Sequence, residues 1–140
     1  MIYIAVGIGG MIGALLRYYL GFSVGNWWSF PFPLGTFIIN MIGCFILGWL
    51  TTYLSKIKKI HPFILTGFGT GLVGSFTTFS TFSYETVHLI QLSLWGTAAA
   101  YVLFSLWGGL SFSFFGYRLG KKWFRKQSVA SFLKSDEGGE

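Results

Sequence analysis

The chain has 140 residues, 53% of them hydrophobic and 10% charged, and its mean hydropathy is +0.63; soluble domains carry about 25% charged residues, so a water-soluble globule is excluded. The net charge of +6 does not point to nucleic acid, because the basic residues collect at the ends of apolar segments, where they face lipid headgroups or aqueous loops. The single cysteine, Cys44, excludes an intrachain disulfide and reads as a small packing residue inside an apolar run.

Residues 18–55 and 86–117 contain no charged side chain. Each stretch is longer than the ~20 residues a helix needs to cross a bilayer. Four spans are predicted, at about residues 2–22, 34–54, 62–90 and 94–117. The start, MIYIAVGIGG, has no Lys or Arg ahead of the apolar run and no small-residue cleavage pattern, so it reads as a retained first span rather than a cleaved signal.

Arg17 stands late in the first span, within GGMIGALLRYYL. It is either an anion attractor or fixed partner inside the bundle, or an interfacial arginine that snorkels to headgroups. The following GNWWSFPFP suits a headgroup-level loop, where indole rings prefer to sit. Asn40 lies in the second span; an amide there either bonds a neighbouring helix or offers N–H donors to a polar path. SKIKKIHP then forms a basic turn, with His61 read as an exposed loop histidine.

The third segment is unusual. From 66 to 83, four Gly and eight Ser or Thr occupy twelve of eighteen positions, interleaved with Phe68, Phe76, Phe79 and Phe82. Its Gly-rich centre with Thr77 and Thr78 predicts a helix break, tolerated in a membrane only where the freed backbone lines a cavity or is buried in protein. Such breaks expose N–H and C=O groups that make ion sites. Beyond the break, Phe79 and Phe82 fall at i and i+3 on one face. Ring edges are positive, so two edges with hydroxyl and amide donors can replace the water shell of a small anion. Glu85, the one acidic residue before position 136, is either a proton-coupling carboxylate or a structural acceptor near a helix end. A short link, HLIQLSL, leads to the fourth span, where Thr97, Tyr101 and Ser105 share one helical stripe. That stripe either bonds back to its own carbonyls or forms a row of donors along a pore.

Residues 1–120 are therefore expected to form one four-helix transmembrane domain. Residues 121–140 form a tail, basic and aromatic at first and lying on the membrane surface, then polar and disordered over SDEGGE. Gly9 and Gly13, Gly67 and Gly71, and Gly116 and Gly120 have the small-xxx-small spacing that lets helices approach closely. No metal-ligand cluster, Ser/His/Asp set, phosphate loop or carboxylate pair is visible, so an enzyme is not indicated. The predicted fold class is an all-α membrane protein whose third helix is broken near its centre.

TTFSTFSYE, GGMIGALLRYYL, PLGTFIINMIGCFILG and GLVGSFTTFSTFS, in their order along the chain, together resemble the Fluc (CrcB) family of fluoride channels. The resemblance implies a small subunit that works as an antiparallel, dual-pore dimer exporting fluoride passively. It implies pore-lining roles for Asn40, Phe79, Phe82, Ser80, Thr81, Tyr101 and Ser105. It also implies a structural sodium ion between subunits, held by the backbone carbonyls of Gly74 and Thr77, and matches Arg17 to the family's first-helix arginine. Two positions depart from the pattern: Gly74-Ser75 stands where Gly-Gly is common, and Gly109 has no hydroxyl where the fourth-helix track would continue. The competing reading is a small proton-coupled multidrug or cation exporter, also a four-helix dimer. It wants a carboxylate in the middle of a span, typically the first, and span one has none.

Charge counting bears on orientation. Lys56, Lys58 and Lys59 lie between spans two and three; Arg118, Lys121, Lys122, Arg125, Lys126 and Lys134 follow span four. The loops on the other side have no Lys or Arg, which predicts cytoplasmic termini in a bacterial cell membrane. So one-sided a bias favours a heterodimer with an oppositely biased paralogue over the family's usual homodimer.

Overall fold

The computed structural model describes residues 2–53 and 67–136. Among these residues the chain is all helix and turn, without a strand. Helix α1 covers Ile2–Trp27 and α2 covers Leu34–Tyr53. Between them Pro31 and Pro33 lack the N–H a helix needs, and Pro33 sits just before α2, where that loss costs nothing. Trp28 Nε1 donates to Phe32 O at 2.8 Å and ties the loop back on itself.

The next described stretch is a chain of short pieces: a π-helical turn α3 (Gly67–Val73), a single turn α4 (Gly74–Phe76), and α5 (Phe79–Gln91). Thr77 (φ −75°, ψ 157°) and Thr78 (φ −148°, ψ 122°) between α4 and α5 are extended. Ser93, with φ 61°, reverses the chain into α6 (Trp95–Asp136). Its N–H and that of Leu94 cap Ile90 O and Leu89 O, at 2.9 Å each.

Ile2–Trp27, Leu34–Tyr53 and Trp95–Arg125 are long and apolar enough to cross a membrane. The predicted third span and the basic turn with Lys56, Lys58, Lys59 and His61 fall wholly or partly outside the described residues. Helix α6 shows no boundary at Gly120 and is helical to Asp136. No proline and no glycine follows Gly120 until 138, so nothing in the sequence stops the helix there.

Glycine sets the packing. A Cβ on Gly9 would meet Gly67 O, one on Gly13 would meet Leu72 O, and one on Gly71 would meet Val6 O, so α1 and α3 touch backbone to backbone. The α2–α6 contact is built the same way, Gly48 lying against Ser113 O and Gly116 against Phe45 O. Removing side chains lets apolar helices gain dispersion contacts where lipid offers no hydrophobic driving force. At one end of the bundle Tyr101 is fully buried, packed with Leu89 and Ala98 under Phe32, Phe37 and Phe82.

Candidate functional site

The site begins at the two residues that leave the helix. In a continuous helix Thr78 N–H would bond Gly74 O, and Thr81 N–H would bond Thr77 O. Here Thr78 N–H donates instead to Asn40 Oδ1 at 2.9 Å, and Thr81 N–H to Thr78 Oγ1 at 3.2 Å. The second bond is an N-cap for α5. The first is reciprocated, because Asn40 Nδ2 donates to Thr78 O at 3.1 Å. Since Thr78 N–H can only donate and its carbonyl only accept, the Asn40 amide has one possible orientation. One Nδ2 hydrogen remains beyond this pair.

The hydroxyls around Thr78 form a small network. Thr78 Oγ1 donates to Thr81 Oγ1 at 3.0 Å and lies 3.3 Å from Ser80 Oγ. Thr77 Oγ1 and Thr77 N–H both donate to Val73 O, at 3.0 Å each. The Thr77 methyl presses on Gly43 of α2, where any Cβ would collide with it.

Two grooves meet at Thr78, which lines both. The first, of about 510 Å³, gathers Asn40, Gly74, Thr77, Phe79, Phe82 and Ser105 and is otherwise mostly apolar. Phe79 is 79% exposed, and its ring lies 5.8 Å from that of Phe82, tilted 36°. The second, of about 610 Å³, lies on the side of the Trp28–Pro33 loop and is lined by Arg17, Thr36, Thr81, Glu85 and His88 among others.

The predicted site residues thus divide. Asn40, Phe79, Phe82 and Ser105 come together in the first groove with Gly74 and Thr77; Thr81, Arg17 and Glu85 lie on the second. Ser80 sits at the start of α5, exposed. Tyr101 does not open on the groove that Ser105 lines. Its hydroxyl donates to Glu85 Oε2 at 2.8 Å, while Thr36 Oγ1 donates to Oε1 at 2.8 Å. Both carboxylate oxygens are therefore held by donors from α2 and α6, an arrangement that fixes the side chain.

Two roles in this geometry were not read from the sequence, those of Thr36 and Thr78. Thr36 is four residues before Asn40, so the two share a face of α2, and that spacing was the available signal. Thr78 joins the two grooves; the Thr-Thr pair marked the break but not which threonine would bridge.

The sequence matches the family described as CrcB-like protein, Camphor Resistance (CrcB), over residues 4–117. It is 55% identical over 120 residues to fluoride-specific ion channel FluC 1 of Bacillus cereus, covering 86% of this chain and 83% of that protein. It is 49% identical over 117 residues to fluoride-specific ion channel FluC 2 of Geobacillus kaustophilus, covering 84% and 91%. With fluoride-specific ion channel FluC of Oceanobacillus iheyensis the identity is 46% over 123 residues, covering 88% and 94%.

Proposed function

This chain belongs to the CrcB family, and on that footing we propose that it is a passive, fluoride-selective channel that lets fluoride leave the cytoplasm. The observation that carries the reading is the break at Thr77–Thr78, with Asn40 clamped across it and two phenylalanines beside it in a groove with little charge. Fluoride is small and strongly hydrated, so a path must offer donors in place of water. They must also be weak and numerous enough to release the ion. The spare Nδ2 hydrogen of Asn40, the Ser105 hydroxyl and the ring edges of Phe79 and Phe82 meet that need in the first groove without a fixed cation, and the hydroxyls of Ser80 and Thr81 add donors beside Thr78. Thr78 then connects this groove with the second, where Arg17 favours an anion. Tyr101 contributes by holding Glu85 in place.

The assembly belongs to the same proposal. Phe79 is too exposed, in a groove too open, to enclose an ion from one chain, which supports a second, antiparallel subunit and two pores. The third helix is a broken span, giving four crossings in all. Gly74 O and Thr77 O have lost their helical donors to Asn40 and Thr78 Oγ1, so two carbonyls per chain are available to a hard cation. Gly74 and Thr77 of two chains would hold a structural sodium ion, whose chemistry is to neutralise carbonyl dipoles crowded at the dimer centre. The lopsided distribution of Lys and Arg supports cytoplasmic termini in a bacterial plasma membrane and pairing with an oppositely biased paralogue.

Fluoride release from proteoliposomes, set beside proton-driven exchange of an organic cation, tests the function. Fast fluoride release with no cation exchange is expected. Cation exchange that consumes a proton gradient, without fluoride release, would overturn it.

A further inference from the structure

The C-terminal part of α6 carries a feature the channel reading does not use. Arg118, Lys121, Lys122 and Arg125 are all exposed. At 100° per residue they fall within an arc of about 100°, at i, i+3, i+4 and i+7. The opposite side of the same turns is committed to α2: Gly116 lies against Phe45 O, and Gly120 approaches Trp49 O. Trp123 packs edge-on against Trp49 and Tyr53, with ring centroids 6.1 Å and 6.3 Å away. The stripe therefore points away from the bundle with a fixed rotation.

Among the described residues no carboxylate side chain is paired with it. Between Trp95 and Asp136, α6 contains no Asp or Glu, and neither does α2. Glu85, on α5, is held by Thr36 and Tyr101.

Depth matters as much as charge. Trp95 is exposed at the start of α6, as expected of an interfacial anchor. Counting 1.5 Å per residue from there, Arg118 lies about 35 Å and Arg125 about 45 Å along the helix. A hydrocarbon core is about 30 Å thick and the whole bilayer about 40–45 Å, so the four cations coincide with the far headgroup layer. The Trp49–Tyr53–Trp123 cluster marks the same level from α2. Arg118 also lies over the Phe114 ring, 5.0 Å from its centroid, which keeps its guanidinium close to the helix surface near the hydrocarbon edge.

We propose that this stripe is a binding site for the phosphate headgroup of an acidic glycerophospholipid, held by Arg118, Lys121, Lys122 and Arg125 on the outward side of α6. The aromatic cluster beside it fixes the helix rotation that keeps the four cations together. The site depends on membrane insertion and not on which ion the bundle conducts, so it stands or falls separately from fluoride transport.

The test reconstitutes the full chain in vesicles of equal phosphatidylglycerol and phosphatidylcholine, then counts retained lipids by native mass spectrometry. Wild type is expected to keep the acidic lipid by roughly tenfold over the zwitterionic one. R118Q/K121Q/K122Q/R125Q should fall to near parity, whereas R118K/K121R/K122R/R125K should keep the preference. Equal retention by wild type, or an undiminished preference in the glutamine variant, would overturn the proposal. So would tight binding of an oligonucleotide without any lipid preference. Should the glutamine variant not fold, spin-labelled lipids decide the matter on wild type alone. The motionally restricted fraction should be larger for phosphatidylglycerol and should shrink at about 0.5 M salt, where screening is short-ranged. Equal restricted fractions for the two lipids would refute it.

Discussion

Helix α2 treats two of its neighbours differently. Toward α6 it offers glycine: Gly48 lets Ser113 O approach, and Phe45 O and Trp49 O run against Gly116 and Gly120. Toward the break it offers side chains: Asn40 pairs with both backbone groups of Thr78, and Thr36 donates to Glu85. The first seam needs only closeness, and its interactions are non-directional dispersion. The second needs particular donors and acceptors, because an extended dipeptide in an apolar setting leaves backbone groups that cost about 1–3 kcal/mol each if unpaired. A region held by shape should fail by unfolding, and a region held by named hydrogen bonds should fail by losing its function first.

Asn40→Asp should give the largest loss. An ionised carboxylate could still accept from Thr78 N–H, but it offers no hydrogen to Thr78 O and repels an anion. Fluoride efflux from proteoliposomes should fall by roughly 100-fold or more, about 3 kcal/mol in barrier. Transport near the wild-type rate in a folded Asn40→Asp protein would return Asn40 to a packing role.

Phe79→Ile and Phe82→Ile come next. Each keeps apolar bulk and removes the positive ring edge, so efflux should drop by roughly tenfold or more with the assembly intact by size-exclusion chromatography. Unchanged rates in both would mean that the rings only fill space.

Gly116→Ala sharpens the contrast from the other seam. Its methyl would run into Phe45 O, backbone that cannot move aside cheaply. A destabilisation of about 1–3 kcal/mol is expected, read as lower yield and a lower thermal midpoint. The fluoride-to-chloride selectivity of the folded fraction should not change; altered selectivity would show that the two regions are not separable.

Glu85→Gln should have the smallest effect on transport. A carboxamide has one acceptor oxygen for two donors, Thr36 and Tyr101, so stability should fall by about 1–3 kcal/mol. Efflux should stay within about tenfold of wild type. Abolished transport together with lost pH dependence would instead favour a proton-coupled carboxylate.

Much of this contrast was legible in the sequence. The three long apolar helices follow from uncharged runs and from Pro31 and Pro33 punctuating the loop between α1 and α2. The spaced glycines lie at close helix contacts because glycine's lack of a side chain is itself the contact. Thr77 and Thr78 marked where the helical run is interrupted. Tertiary facts were not legible. Periodicity put Tyr101 and Ser105 on one stripe, but burial beneath Phe32 and Phe82 turned the tyrosine toward Glu85, a choice set by other helices. Whether Asn40 packs or donates could not be separated by residue type, since it pairs with Thr78, 38 positions away, and still keeps one hydrogen. The tail shows no stop signal after Gly120, and α6 accordingly continues as helix to Asp136.

The central claim is that fluoride itself, moving passively, carries charge through this protein. The most direct measurement is the reversal potential of the current across a planar bilayer containing the purified protein, between unequal potassium fluoride solutions. Reversal should occur at the Nernst potential of fluoride and stay there when a proton gradient is added. Reversal at the potassium potential, a reversal that follows the proton gradient, or fluoride flux with no current at all would contradict the account.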